Sequence, residues 1–120
     1  PPAMYKLYHY PRCSTCRKAR AWLDAHDVTV ELIDIVENPP SREVLALVMR
    51  HADLPVAKLF NTSGELYRAG NYKERLKTMD KAEALAELAA QGKLIKRPLL
   101  VGDGVALVGF REAEYERALG

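Results

Sequence analysis

The sequence predicts an α/β domain ordered as strand-helix-strand, a block of helices, then strand-strand-helix, around a mixed four-stranded sheet. Three observations predict it. Short apolar runs of strand length stand near the two ends of the chain, each beside a helical repeat. Residues from about 41 to 92 carry apolar positions at helical spacing with capping residues ahead of them. Gly102-Asp103-Gly104 separates two apolar runs, which signals a hairpin. At 120 residues the chain is expected to form one domain over 4–120, because a chain of this size buries roughly two-thirds of its unfolded surface without metal or disulfide staples.

The elements follow in order. Met4 to Tyr8 reads as a first strand with Tyr5 and Leu7 on one face. Ser14 to Asp27 reads as a helix, since Cys16, Ala19 and Leu23 recur at i, i+3 and i+7 while Arg17, Lys18, Arg20 and Asp24 take other faces. Val28 to Ile35 alternates as a second strand, and strand, helix and strand so close in sequence make a right-handed βαβ unit with a parallel pair. Asn38-Pro39-Pro40-Ser41 breaks the chain, and Ser41 caps a helix with an inner stripe of Leu45, Val48, Met49 and Ala52. Pro55 suits the start of a short helix over Val56 to Phe60. A turn at Asn61-Thr62-Ser63-Gly64 follows, then short helical pieces through Tyr67 and Leu76. Asp80 with Glu83 opens a helix whose Ala82, Leu85, Leu88 and Ala89 face inward, with Gly92 as its stop. Leu99 to Val101 and Val105 to Val108 form the hairpin, and Phe110 to Leu119 closes the chain as a helix packed through Tyr115, Ala118 and Leu119. Residues from about 41 to 92 are thus a helical insertion.

Composition narrows the function classes. No apolar run approaches the ~20 residues of a membrane span. Lys plus Arg exceed Asp plus Glu by two, 18 against 16, which is too little to point to nucleic acid. The basic residues instead cluster, at 12–20 and again at Lys93, Lys96 and Arg97, which suits an anionic small ligand or an acidic protein surface; solvated helix faces explain Lys18 and Arg20 equally well. Pro1-Pro2-Ala3-Met4 has no feature of a secretory signal, so Met4 is expected as the natural start and a reducing cytoplasm as the setting. There two cysteines suit catalysis or sensing better than structure.

Both cysteines lie in Tyr8-His9-Tyr10-Pro11-Arg12-Cys13-Ser14-Thr15-Cys16-Arg17, between the first strand and its helix. Cys13 would stand at the helix N-terminus, where unpaired N–H groups and the dipole favour a thiolate, and Arg12, Arg17, Lys18 and Arg20 act in the same direction. Cys16, one turn on, shares that face and can attack a mixed disulfide at Cys13. Ser14 and Thr15 can cap the helix or donate to Cys13. His9 can act as an acid or base, or simply pack. Other readings exist. Zinc needs four ligands, and His9, His26 and His51 are scattered with no third cysteine. Burial alone would explain Cys16 but not a basic loop presenting Cys13. A disulfide closing so small a loop would constrain the unfolded chain little.

The end elements resemble a thioredoxin-type sheet. In such folds the loop before the third strand commonly carries a cis-proline facing the cysteine loop, which is where Lys96-Arg97-Pro98 stands; Arg97 would then face the cleft and hold an oxyanion or carboxylate. A trans proline at a strand start and a surface arginine are the alternatives. The chain further resembles the arsenate reductase and Spx group of thioredoxin-like proteins. The resemblance rests on Tyr8-x-x-Pro-x-Cys-x-x-Cys-Arg-Lys-Ala-x-x-Trp-Leu, on Val36-Glu37-Asn38-Pro39-Pro40 and on Leu94-Ile95-Lys96-Arg97-Pro98-Leu99. It implies Cys13 as nucleophile and Arg97-Pro98 as the facing loop. Reductases of that group hold their oxyanion with further arginines; here none stands at Phe60-Asn61-Thr62, and only Arg111, out of register, lies near Gly109-Phe110. Spx-type regulators place a glycine and an arginine where this chain has Leu54-Pro55 and Thr62-Ser63.

The expected function is a cytoplasmic thiol-disulfide oxidoreductase. Cys13 attacks, Cys16 resolves and Arg97 orients an anionic group, with Arg12, Ser14, Thr15, Arg17 and Pro98 shaping the site. The substrate would be a small thiol, an oxyanion or a protein disulfide. No metal or bound cofactor is called for, and glutathione or thioredoxin would restore the dithiol. The alternative implied by the resemblance is a redox-switched transcriptional regulator that binds the C-terminal domain of the RNA polymerase α subunit.

Overall fold

Leu7 and Tyr8 are neighbours on strand β1 (Tyr5–His9) and therefore point to opposite faces, yet both are buried. Each face of the sheet must be covered. In the computed structural model, which describes residues 3–120, it is. The reading of Pro1 and Pro2 as lying ahead of the natural start falls outside the described residues.

Helix α1 (Ser14–Ala25) crosses from β1 to β2 (Val30–Asp34), which pairs parallel to β1 with Leu7 opposite Leu32. Strand β3 (Leu99–Gly102) runs antiparallel on the other side of β1, and β4 (Val105–Val108) forms the hairpin with it. The sheet order is β2-β1-β3-β4, mixed and four-stranded as expected. Leu7, Leu100, Ala19, Trp22, Leu23 and Tyr115 form the core on one face, beneath α1 and the last helix, α6 (Glu112–Leu119). Tyr8, Leu99 and Ala106 turn to the other face. The helical insertion covers them with α2 (Arg42–Ala52), a 3-10 turn at Val56–Leu59, α3 (Glu65–Ala69), α4 (Tyr72–Arg75), α5 (Lys81–Ala90) and a second 3-10 turn at Gly92–Leu94.

The expected caps form. Ser41 Oγ accepts the Val44 N–H at 3.1 Å, and Asp80 Oδ1 accepts that of Glu83 at 2.8 Å. Four local expectations need correcting. The first helix ends at Ala25 and β2 starts only at Val30, because Val28 N–H bonds back to Leu23 O and Asp27 takes a left-handed φ of 57°. On α5 the buried stripe is Ala84, Leu85 and Leu88; Ala84 lies directly below Leu88 at i−4, which leaves Ala82 more than a quarter turn off the stripe and exposed. Ala118 is also exposed, with Tyr115 and Leu119 carrying the packing of α6, which begins at Glu112 rather than Phe110. Gly92 is not the stop of α5. Gln91 ends that helix, and Gly92 is buried against Ile35 O.

One contact places the insertion relative to the cysteines. Phe60 and Ile95 form an antiparallel bridge, with Asn61 N–H on Leu94 O and Lys96 N–H on Leu59 O, each at 2.7 Å. The turn at 61–64 is thereby laid beside Lys96-Arg97-Pro98.

Candidate active site

Cys13 itself is the N-cap of α1. Its extended backbone (φ −90°, ψ 117°) turns its own Sγ onto the Cys16 N–H, 3.2 Å away, so the sulfur accepts one of the unpaired donors of the helix start. Ser14, expected as a possible cap, is the exposed first residue of the helix instead. The loop is closed by the Cys13 N–H donating to Tyr10 O at 3.0 Å, and the Tyr10 N–H donates to Cys16 Sγ at 3.5 Å. Both cysteines are free thiols. Cys13 is half-buried, whereas Cys16 is wholly buried.

Burial pushes the Cys16 thiol up to about 12, helped by its hydrogen bond and proximity to Cys13; the Tyr10 N–H and the Arg97 guanidinium pull the other way and lose. The two sulfurs are therefore unequal, one reachable from solvent and one hidden and protonated at neutral pH. The folded value lies above the ordinary thiol value of 9.0, so the folded state holds this proton while the unfolded chain releases it. Stability contributed by the buried thiol is intact below pH 9 and falls between about 9 and 12. Denaturant midpoints of the reduced protein are expected to drop over that window more steeply than those of a Cys16→Ser variant; parallel curves would contradict the burial of this group.

Across from Cys13, the Arg97-Pro98 peptide bond is cis. Pro98 O accepts the Gly109 N–H at 2.8 Å, tying this loop to the end of β4. Arg97 donates to Lys93 O at 3.3 Å and sits over the ring of Tyr10, its guanidinium carbon 5.0 Å from the centroid. A cavity of about 330 Å³ lies between the loops, lined by Cys13, Thr15 and Arg97 together with Asn61, Ser63, Lys96 and Arg111. Gly109, at φ 74°, permits the turn that brings Arg111 round, and a Cβ there would stand 3.2 Å from Lys96 Cε. Larger cavities occur elsewhere, one of about 660 Å³ beside α1 and β2 among them, but neither cysteine lines that one.

Of the residues singled out from sequence, Cys13, Thr15 and Arg97 line this cavity, whereas Pro98 and Cys16 are buried next to them in sequence and do not line it. Arg12, Ser14 and Arg17 are exposed and outside the lining; Arg17 donates to Pro11 O at 3.2 Å, bracing the loop from solvent. His9 is buried, and its proton affinity is lowered by burial first and by Arg20 second, against the opposing charge of Asp34; it does not line the cavity. Sequence reasoning missed Asn61, Ser63 and Lys96 as site residues, and passed over Arg111 as out of register. Only Lys96 carried a signal, as the first residue of Lys-Arg-Pro. Among the described residues no group of three or more His, Cys, Asp and Glu could hold a metal ion.

Chemically, the arrangement offers one accessible sulfur held by a backbone N–H, a second sulfur one turn behind it, and three cations around the opening. Comparison with known proteins agrees in fold and family. The chain is 46% identical over 110 residues to YusI of Bacillus subtilis, covering 92% of this chain and 93% of that one. It is 26% identical over 116 residues to the global transcriptional regulator Spx of Streptococcus mutans, covering 97% of this chain and 83% of the regulator. A crystal structure of a Bacteroides fragilis protein named as ArsC family related superposes with a TM-score of 0.93 at 39% identity, with 98% of each chain covered. The family model described as ArsC matches residues 8–118, which span the cysteine loop, the insertion and the Arg97-Pro98 loop alike, and the chain belongs to the ArsC family.

Proposed function

We propose that the protein is a thiol-disulfide oxidoreductase in which Cys13 is the nucleophile and Cys16 the resolving thiol. The observation that carries this reading is the pairing of a half-buried Cys13 Sγ on the Cys16 N–H with a wholly buried Cys16 directly behind it. In the first step the Cys13 thiolate attacks one sulfur of a substrate disulfide, forming a mixed disulfide and releasing the other half as thiolate. In the second, Cys16 loses its proton and attacks Cys13 Sγ, releasing the reduced substrate and leaving a Cys13–Cys16 disulfide. Two electrons pass from protein to substrate, and a cellular thiol such as glutathione or thioredoxin returns them. Arg97 and its cationic neighbours orient an anionic group, and Arg12 and Arg17 add to the positive field of the loop. The cytoplasm is the compartment whose thiol pool sustains this cycle.

The test is a Cys16→Ser trap. Mixed with cell extract, it is expected to accumulate a mixed disulfide at Cys13 that mass spectrometry identifies and a reductant releases. A Cys13→Ser variant that collects the same adducts through Cys16 would sink the assignment.

A second reading is supported by the regulators among the relatives, which include Spx and the MgsR protein of Bacillus subtilis, the latter 27% identical over 108 residues. In it the same dithiol is a switch, and oxidation changes affinity for the C-terminal domain of the RNA polymerase α subunit. Oxidation-dependent binding to that domain with no disulfide turnover would favour the switch; turnover without binding favours the enzyme.

A further inference from the structure

The antiparallel contact that closes the insertion also builds a surface. By setting residues 59–61 against 94–96, it opens a second cavity of about 250 Å³ beside the first, lined by Lys58 and Thr62 together with Asn61, Ser63 and Lys96. The last three residues also line the cavity at Cys13, so the two share a wall and lie side by side as a grooved surface leading away from the sulfur. Its charge is of one sign. Arg111, Arg97, Lys96 and Lys58 line it, no Asp or Glu does, and among the described residues none of the four makes an ion pair. Unpaired cations gathered in a cleft repel one another and focus a positive potential along it, which an anion spanning the groove would neutralise. A single oxyanion at Cys13 leaves the Lys58 end unused. An extended chain with several carboxylates uses both ends. Nucleic acid fits less well, because successive bases stack on a series of open aromatic faces and the lining offers at most one: Phe60 is 1% exposed, which leaves Phe110, half-buried and packed against Tyr115 with ring centroids 4.8 Å apart.

We infer that the groove binds an acidic polypeptide segment, so that the disulfide delivered to Cys13 belongs to a protein with Asp or Glu residues beside its reactive cysteine. This rests on Cys13 as the nucleophile proposed above. The groove contributes selection and the sulfur contributes exchange: the substrate disulfide is cleaved, one half becomes bonded to Cys13 and the other leaves as thiolate.

Three peptides test it, identical except for Glu, Gln or Lys pairs flanking one cysteine carried as a mixed disulfide with thionitrobenzoate. Release of the coloured thiol by reduced protein is measured, each rate being divided by that of the same peptide with a small neutral thiol. The Glu peptide is expected to react about 10-fold or more faster than the Lys peptide at low salt, the ratio shrinking towards one at ~0.5 M salt. Lys58→Gln is expected to reduce the Glu-to-Gln ratio at least about twofold. Equal normalised rates for the three peptides overturn the groove while leaving the role of Cys13 intact, and release no faster than by Cys13→Ser overturns both. Binding is read separately by fluorescence anisotropy with a labelled Glu peptide carrying serine for cysteine. Displacement by unlabelled Glu peptide at far lower concentration than citrate supports the inference; displacement by citrate or a single-stranded oligonucleotide at equal concentration overturns it.

Discussion

A Cys13→Ser variant is expected to lose disulfide exchange by at least about a thousandfold, because a hydroxyl does not replace a thiolate as the attacking group. Cys16 cannot take over. Burial holds the Cys16 thiol in its protonated form at neutral pH, and the sulfur is closed off from an incoming substrate. The reverse substitution behaves differently: Cys16→Ser keeps the first attack and stalls at the adduct. Following a chromogenic disulfide in both variants separates the two steps. A Cys13→Ser protein that retained a tenth of the wild-type rate would show that another group does the chemistry.

Gly92→Ala is expected to cost at least about 3 kcal/mol, lowering Tm by about 10 °C or more, if the protein folds at all. The added Cβ would stand 1.9 Å from Ile35 O and 2.8 Å from Ile35 C, and neither partner can swing aside, since both are backbone at the end of β2. Relief requires moving the 3-10 turn at Gly92–Leu94 off the sheet. That turn leads into the Phe60–Ile95 bridge and then Lys96-Arg97-Pro98, so the site should loosen with it. Gly104→Ala is the control, with nothing within 4 Å of the new atom and only the φ of 77° to resist it. Thermal melts of the two variants check the contrast; equal, small losses would mean that the approach of Gly92 to Ile35 is not as tight as described.

The legible parts of this protein are those whose causes are local. Helical spacing of Leu45 and Val48, caps at Ser41 and Asp80, and the Gly-Asp-Gly turn each act within a few residues, and each element they predict is present. Misreadings fall where a distant partner decides. Ala82 and Ala118 look as apolar as Ala84, and only packing of α5 and α6 against the rest determines which alanine is covered. Gly92 reads as a helix stop because the strand end that it touches is more than fifty residues earlier in sequence.

For the site the same division holds. The Cys-x-x-Cys loop announced itself through residue type and spacing, while Arg97-Pro98 and the family were legible through resemblance to known folds. Sequence alone determined that two sulfurs stand three residues apart at the start of a helix with basic residues beside them. Tertiary structure decided which side chains surround the first sulfur: the bridge between Phe60 and Ile95 brings in Asn61 and Ser63, and the turn at Gly109 returns Arg111 to the opening. Neither event has a local signature, because a cavity wall is assembled from segments whose only relation is that hydrogen bonds and packing elsewhere hold them side by side.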